Sequence, residues 1–523
     1  MPVDVHASAR GMQREAAAIR PSGFACVLLF GLAYGLVHSA LRLAVSHNLA
    51  VDDIKSNLYT QTLELGYVDK QPPLYEWMLW GVQQFTGPTL PSFLILKYGL
   101  LTATLALLYL VAKRLFADER WAVLAGLSPL MLYQIAWNLH EGVTQTIALI
   151  CAVAATMWTF MRLADHGRAS DYLLFGLTAG LGLLTKYNFA AFLFILLACA
   201  SLQPVLRARL LDRRFLLSLG MSGAVVAPVV YWFVTQGHDL VALYRSSIAP
   251  MAEKNWLAAR AIGLAKTAWA PFGFLFPLIV IALCFPGMLR EALASVRAGL
   301  KPRHWERAEP DWRLLLLHMT LGGFIVLAFG ALATGATHYL ERYMHPFFLL
   351  TPLWLLTLVE RTGPSGRRLG ILTAILAGAT LLVVPVRTYG LLETLAGHCR
   401  KCRIAVPYET LVAALRERGF QSGTIIAATR EDAGNLRRFF PAARIVRLER
   451  PRYAPPPRAA QKDDKLAVVW REGYRLPKEA KREYAGIVRE LGQIPERVNV
   501  PEEDVASRRG FAWTIIVTEQ PSP

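Results

Sequence analysis

Apolar stretches of roughly 17–25 residues, the length that crosses a bilayer as a helix, recur through the first 390 positions and then stop. They fall at 23–45, 94–116, 121–138, 143–163, 172–186, 188–203, 215–235, 268–289, 314–334, 345–360 and 369–387. The pattern predicts a mainly α, polytopic membrane protein with about eleven transmembrane helices. The first stretch is longer than a signal-peptide core and leads into no small-residue cleavage site, so a retained first span is expected. Past residue 390 the period changes. Short β-like runs at Arg403–Val406, Gly423–Ala428, Ala443–Leu448, Lys465–Trp470 and Ala512–Thr518 alternate with helical patterns at Tyr408–Arg418, Glu431–Phe440 and Lys478–Leu491. Strands alternating with helices imply a soluble α/β domain, with Arg450–Arg458 (RPRYAPPPR) as a proline-rich loop inside it. The expected division is a transmembrane domain over 1–390, whose first outer loop is 46–93, and an α/β domain over 391–523. No internal repeat is visible, which disfavours an inverted-repeat transporter.

Composition supports the membrane assignment. The chain is 54% hydrophobic and 18% charged, with a mean hydropathy of +0.35; an average soluble domain carries about a quarter charged residues. The net charge is +18, from 56 Lys and Arg against 38 Asp and Glu. Most of the basic residues in the first 390 positions sit in loops on one side of the spans, about 21 against about 8 on the other. That bias puts the N-terminus in the cytoplasm and, for an odd number of spans, the C-terminal domain on the outer side of the membrane. Binding of nucleic acid is disfavoured, because the positive charge is spread over membrane loops and the tail has no recognition motif. Cys26, Cys151, Cys199 and Cys284 fall in apolar spans and read as small core residues. Cys399 and Cys402 lie in the outer tail ahead of a strand-like run rather than at a helix start. They are candidates for a local structural disulfide rather than for a redox motif.

The first outer loop carries the most specific chemistry. It reads VDDIKSNLYTQTLELGYVDKQPPLYEWMLWGVQQFTG. Asp52 and Asp53 open a helical pattern with Ile54, Leu58 and Leu65 on one face and Gly66 placed as a C-cap. Pro72 and Pro73 open a second short helix over Leu74–Phe85, with Trp77 and Trp80 placed for a membrane interface. Adjacent carboxylates suit a tuned base; the competing reading is that they only cap a helix and favour its positive end. Lys186 interrupts the apolar run LGLLTKYNFAAFLFILL. An ionisable residue there is costly and points to function, against the alternative of a snorkelling anchor.

These residues resemble the GT-C glycosyltransferases of the family 39/83 type, which comprises protein O-mannosyltransferases, aminoarabinose transferases and RgtA/B/C/D-like enzymes. The likeness rests on Asp52-Asp53, Gly66-Tyr67, Asp69-Lys70 and Pro72-Pro73-Leu74, with Asp53 where the family usually has Glu. It extends to Leu184–Asn188 (LTKYN) and Glu341–Pro346 (ERYMHP), and to Gly423–Ile426 and Ala433–Arg437 in the tail. The resemblance implies transfer of a sugar from a polyprenyl-phosphate carrier, on the outer face, to lipid A or lipopolysaccharide, another lipid, or protein. A phosphate leaving group needs cations rather than a general acid, and the acceptor hydroxyl needs a base. The expected sites are therefore Asp52 and Asp53 for catalysis and Lys70, Lys186 and Arg342 for the donor phosphate. Asp69, His140, Glu141, Tyr187, Asn188, His338 and His345 are expected to line the substrate cavity. Direct attack would invert the anomeric centre. No HExxH-like spacing is present, so no metal and no cofactor beyond the polyprenyl-phosphate sugar are expected. The alternative is a transporter or flippase of a lipid-linked glycan, which would place its essential charges near the bilayer midplane.

Overall fold

The computed structural model describes residues 22–250, 255–301, 309–395, 403–448, 453–457, 463–472, 478–499 and 512–519. Among these, seven helices are long and apolar enough to cross a membrane: Gly23–Val45, Leu90–Ala112, Thr144–His166, Phe215–Thr235, Trp256–Cys284, Trp312–Thr334 and Gly366–Thr394. An eighth candidate is a pair of segments, Glu119–Met131 and Tyr133–Glu141, bent by 74° at the break. The protein is thus a multi-pass membrane protein, but eleven full-length spans are not present among the described residues. Three of the expected spans are short helices, Ala169–Leu183, Phe189–Ser201 and Thr351–Arg361. At 1.5 Å per residue they reach roughly 17–23 Å, less than the ~30 Å hydrocarbon core. The expected boundary between the stretches 172–186 and 188–203 is present as a turn around Lys186, whereas the run 345–360 carries a break after Phe348 that mean hydropathy does not mark.

The soluble part is a five-stranded sheet in the order β2-β1-β3-β5-β4, with β1 Gly423–Ala427, β2 Arg444–Arg447, β3 Lys465–Arg471, β4 Glu496–Asn499 and β5 Ala512–Glu519. β1 pairs in parallel with both β2 and β3, placing Ile425 between Ile445 and Ala467, while β5 runs antiparallel to β3 and β4. Four of the five expected strands are found. The exception is Arg403–Val406, where Arg403–Ala405 is one turn of 3-10 helix; the fifth strand is instead the mostly polar Glu496–Asn499. A half-exposed edge strand needs few apolar residues, so hydrophobic alternation does not mark it. Cys399 and Cys402 lie outside the described residues.

The two parts share a core. Leu58, Tyr59, Tyr67 and Val68 of the first loop pack in one cluster with Leu411, Ile425, Leu436 and Trp513 of the sheet domain. Tyr453, from the proline-rich loop, lies edge-on to Tyr59 and Tyr67 and shares a 2.6 Å hydrogen bond with Thr62. Gln61 satisfies the free edge of β2, accepting from Ile445 N at 2.8 Å and donating to its carbonyl at 3.0 Å. The loop 46–93 is therefore built into the base of the sheet domain and does not swing free of it.

Candidate active site

The acid pair stands at the start of the helix Val51–Tyr59. This helix ends at Thr60, so Gly66 is not its cap. Val51 has φ +51°, a conformation costly for a β-branched residue and typical of functional sites. Gly142, with φ +110°, passes directly over this point: a Cβ on it would lie 3.3 Å from Asp52 N. Consecutive helical residues point about 100° apart, and the two acids accordingly meet different surroundings. Asp53 is 5% exposed and faces Lys97, with Nζ–Oδ2 3.9 Å, while its Oδ1 has no hydrogen-bond partner. Burial pushes the Asp53 carboxyl above the usual range, and the Lys97 charge opposes that shift. Asp52 is half-buried, and among the described residues no protein group donates a hydrogen bond to its carboxylate.

Cations gather on the Asp52 side. Lys186 lies in the turn between the helices Ala169–Leu183 and Phe189–Ser201, outside the long spans. Its Nζ donates to Thr146 Oγ1 at 2.8 Å and sits 5.7 Å from the centre of the Tyr343 ring. Arg342 stacks on the same ring at 5.2 Å, so one aromatic ring is shared by two cations. Desolvation lowers the Lys186 ammonium to about 8; Asp52 opposes that shift, and Lys55 and Arg342 add to it. These four side chains therefore share one electrostatic neighbourhood. Lys55 follows Asp52 by three residues, which puts both on one helix face, and it donates to Gln71 Oε1 at 2.7 Å.

Backbone ties hold the Lys186 turn against the first loop. Leu74 N donates to Leu184 O at 3.1 Å, and the Tyr187 hydroxyl donates to Asp69 O at 2.8 Å. Asn188 Nδ2 donates to Tyr343 O at 3.4 Å, and its Oδ1 is buried without a partner. His345 Nδ1 is 3.0 Å from Arg342 O, and the His338 ring lies 6.2 Å from Tyr343. Asn188, His338 and His345 thus lie beside the Lys186–Tyr343–Arg342 group, and Tyr187 ties the Lys186 turn to Asp69. Lys70 is exposed at the tip of the Val68–Gln71 bridge, and Lys55 is the lysine of this loop whose charge acts on Lys186. His140 belongs to a different cluster. Its two ring nitrogens each lie 2.8 Å from a tyrosine hydroxyl, Tyr34 and Tyr98, and its ring stacks on His38 at 4.1 Å. Glu141 is exposed beside it.

Several residues were missed in the sequence. Lys97, Arg387 and His38 all interrupt apolar helices, the same signal that singled out Lys186. Glu76 is 2% exposed and accepts from Ser56 Oγ at 3.1 Å and Gln145 Nε2 at 2.6 Å. Burial raises its carboxyl pKa, with Lys55 opposing. Among the described residues no group of three His, Cys, Asp or Glu is arranged to hold a metal ion.

The described residues thus combine a bundle of long apolar helices, a cationic cluster on one side of Asp52, and a small α/β domain packed against the helix that carries Asp52. Known proteins of similar sequence or fold point in one direction. Residues 70–232 match the family model described as dolichyl-phosphate-mannose-protein mannosyltransferase. The chain is 28% identical over 431 residues to the lipopolysaccharide core galacturonosyltransferase RgtB of Rhizobium johnstonii, an alignment covering 81% of this chain and 83% of that protein. It is 27% identical over 445 residues to RgtA of the same organism, covering 84% and 85%. The fold is similar to the crystal structure of ArnT from Cupriavidus metallidurans in the apo state, with TM-score 0.51 and 13% sequence identity over 93% of this chain and 97% of that one. Residues 70–232 are thus similar to a mannosyltransferase-family domain, and the fold is similar to that of ArnT. The matched region includes Lys186 but ends before Arg342 and begins after Asp52.

Proposed function

We propose that this protein transfers a sugar from a polyprenyl-phosphate carrier to an acceptor of the lipopolysaccharide type, with inversion. The observation that carries this reading is a half-buried carboxylate, Asp52, without a protein hydrogen-bond donor, beside the cations Lys55, Lys186 and Arg342. In the step we envisage, the acceptor hydroxyl gives its proton to Asp52 as its oxygen bonds to the anomeric carbon. The bond from that carbon to the phosphate oxygen breaks, and polyprenyl phosphate leaves with the electron pair. Lys186, Lys55 and Arg342 stabilise the charge that develops on it. Asp53, paired with Lys97, positions the helix start and is not the first choice of base.

Lys186 provides the test. Its ammonium is held near 8, so it is charged below that pH and neutral above it. Donor binding should therefore weaken as pH rises through about 8. Lys186→Arg should remove that limb, because a guanidinium stays charged. Lys186→Met should weaken binding of a polyprenyl-phosphate sugar by roughly 10-fold or more at pH 7, the worth of a charge-assisted contact. Titration of the purified variants with donor reads this directly; wild-type affinity in the Met variant would leave Lys186 as an anchor only.

We further propose that the sheet domain and the Asp52 site face the periplasm, across a bacterial inner membrane from a cytoplasmic N-terminus. The Lys and Arg asymmetry supports this reading. A reporter active only outside the cytoplasm, fused after Pro523, is expected to be active. A cytoplasmic signal would reverse the orientation of the site.

A further inference from the structure

A cavity of about 430 Å³ lies next to the candidate active site and is lined by Asp53 but not by Asp52. Three arginines line it: Arg42 from the end of the first span, Arg387 from the last span and Arg403 from the 3-10 turn that leads into the sheet domain. The wall between them holds His140, fixed from both ring nitrogens by the tyrosine hydroxyls of Tyr34 and Tyr98.

The charges do not balance from within. Asp53 already faces Lys97, and Glu141 lies at the exposed rim. No carboxylate forms an ion pair with Arg42, Arg387 or Arg403 among the described residues. Arg42 spends its donors on the carbonyls of Ser46 and Asn48. Arg387 is 2% exposed; its Nη1 donates to His38 O at 3.1 Å, and its Nε has no partner. A buried guanidinium with an unused donor and no counter-charge is costly unless an anion fills the space. A volume of 430 Å³ accommodates a hexose ring with an acidic substituent, within the usual range of small-molecule sites.

We propose that this cavity is a second anion subsite, separate from the Lys186 cluster, which holds an acidic group (carboxylate or phosphate) carried by one of the sugars brought to the enzyme. The group has two possible bearers. A carboxylate on the transferred sugar would make the enzyme selective for a uronic acid donor. A phosphate on the acceptor would orient the acceptor hydroxyl toward Asp52. Either way the subsite is lined by Asp53, the neighbour of the proposed base. The proposal rests on the glycosyltransferase reading for the nature of the ligand, but its test reads binding and not transfer.

The full-length protein in detergent is titrated with three probes, D-galacturonate, inorganic phosphate and D-galactose, and followed by ligand-observed NMR. One or both anions should bind, and galactose should not. Phosphate can also bind the Lys186 cluster, so the subsite is read as the part of the binding that Arg403→Gln loses and Lys186→Met keeps: preference for galacturonate in that part assigns it to the transferred sugar, and preference for phosphate assigns it to the acceptor. Arg403→Gln should weaken the anion by about 10-fold or more. Arg403 is half-exposed on a surface turn, so this variant avoids the buried contacts that Arg387→Gln would disturb. Arg387→Gln serves as the second variant, with its fold checked by thermal unfolding. Absence of anion binding, or equal binding by wild type and Arg403→Gln, overturns the proposal. Neither result bears on whether the enzyme transfers sugar, since Asp52 and Lys186 are untouched.

Discussion

Asp52→Asn is expected to lower the rate of sugar transfer by roughly 10²–10⁴-fold, the loss typical of one positioned general base. That corresponds to about 3–5 kcal/mol in the barrier. The substitution keeps the shape of the side chain and removes the group that takes the proton. Asp52 receives no hydrogen bond from the protein among the described residues, so no folded network depends on its charge. At a pH well below 8 donor affinity should change little, since Lys55, Lys186 and Arg342 remain; closer to 8 it should weaken earlier than in the wild type, because Asp52 helps to keep Lys186 charged. The same change at Asp53 should behave differently. It would leave the buried Lys97 without its counter-charge, a costly loss in a low-dielectric setting, so Asp53→Asn is expected to lower stability as well as activity. Rates and thermal unfolding measured on both purified variants separate the two roles. Near-normal transfer by Asp52→Asn would take Asp52 out of the mechanism.

The second large effect is expected where the sheet domain meets the acid helix. The helix Arg430–Phe439 of the sheet domain lies against the helix that carries Asp52. At their closest point Gly434 leaves no room: a Cβ there would stand 2.6 Å from both the carbonyl oxygen and Cγ2 of Ile54. Backbone cannot yield as a side-chain tip can, so Gly434→Ala must push one helix off the other. Polar bonds flank this contact on both sides. Asn57 Nδ2 donates to Gly434 O at 2.9 Å, Leu49 N donates to Asn435 Oδ1 at 2.8 Å, and Arg437 Nη1 donates to Thr60 Oγ1 at 2.7 Å. The sheet domain thus fixes the height and tilt of the acid pair. A shift of about 1 Å in a reacting group can cost on the order of 10²-fold, and that loss in kcat is expected for Gly434→Ala. Gly486→Ala is the matched control, because nothing stands within 4 Å of its added methyl; it should be neutral or slightly stabilising. Equal activity of the two variants would mean that the sheet domain does not position the site.

What could be read from the chain divides along physical lines. The second loop helix was expected at Leu74–Phe85 and spans Leu74–Thr86, because Pro72 and Pro73 mark its start in a way that depends on no distant contact. The start of the acid helix was legible for the same local reason; its end was not, because Thr60 is held by Gln83 and Arg437 from other segments. Lys186 stood out through the cost of charge in an apolar run. Lys97 and Arg387 carry the same signal, yet each lies near the end of a long helix, where snorkelling is the ordinary explanation. Only their neighbours, Asp53 and His38, show that they turn inward. Lys70 and Lys55 could not be ranked by sequence: both are loop lysines, and the helix that presents Lys55 beside Asp52 is set by packing against the sheet domain.

The central claim is that this chain moves a sugar between lipid-linked substrates and does not merely carry a glycan across the membrane. Purified protein in vesicles, supplied with a polyprenyl-phosphate sugar labelled in the sugar and with a lipopolysaccharide-type acceptor, tests it most directly. The account predicts that label appears covalently on the acceptor, that free polyprenyl phosphate accumulates in equal amount, and that Asp52→Asn abolishes both. Label that crosses the bilayer still attached to its carrier, with none on the acceptor, would contradict it.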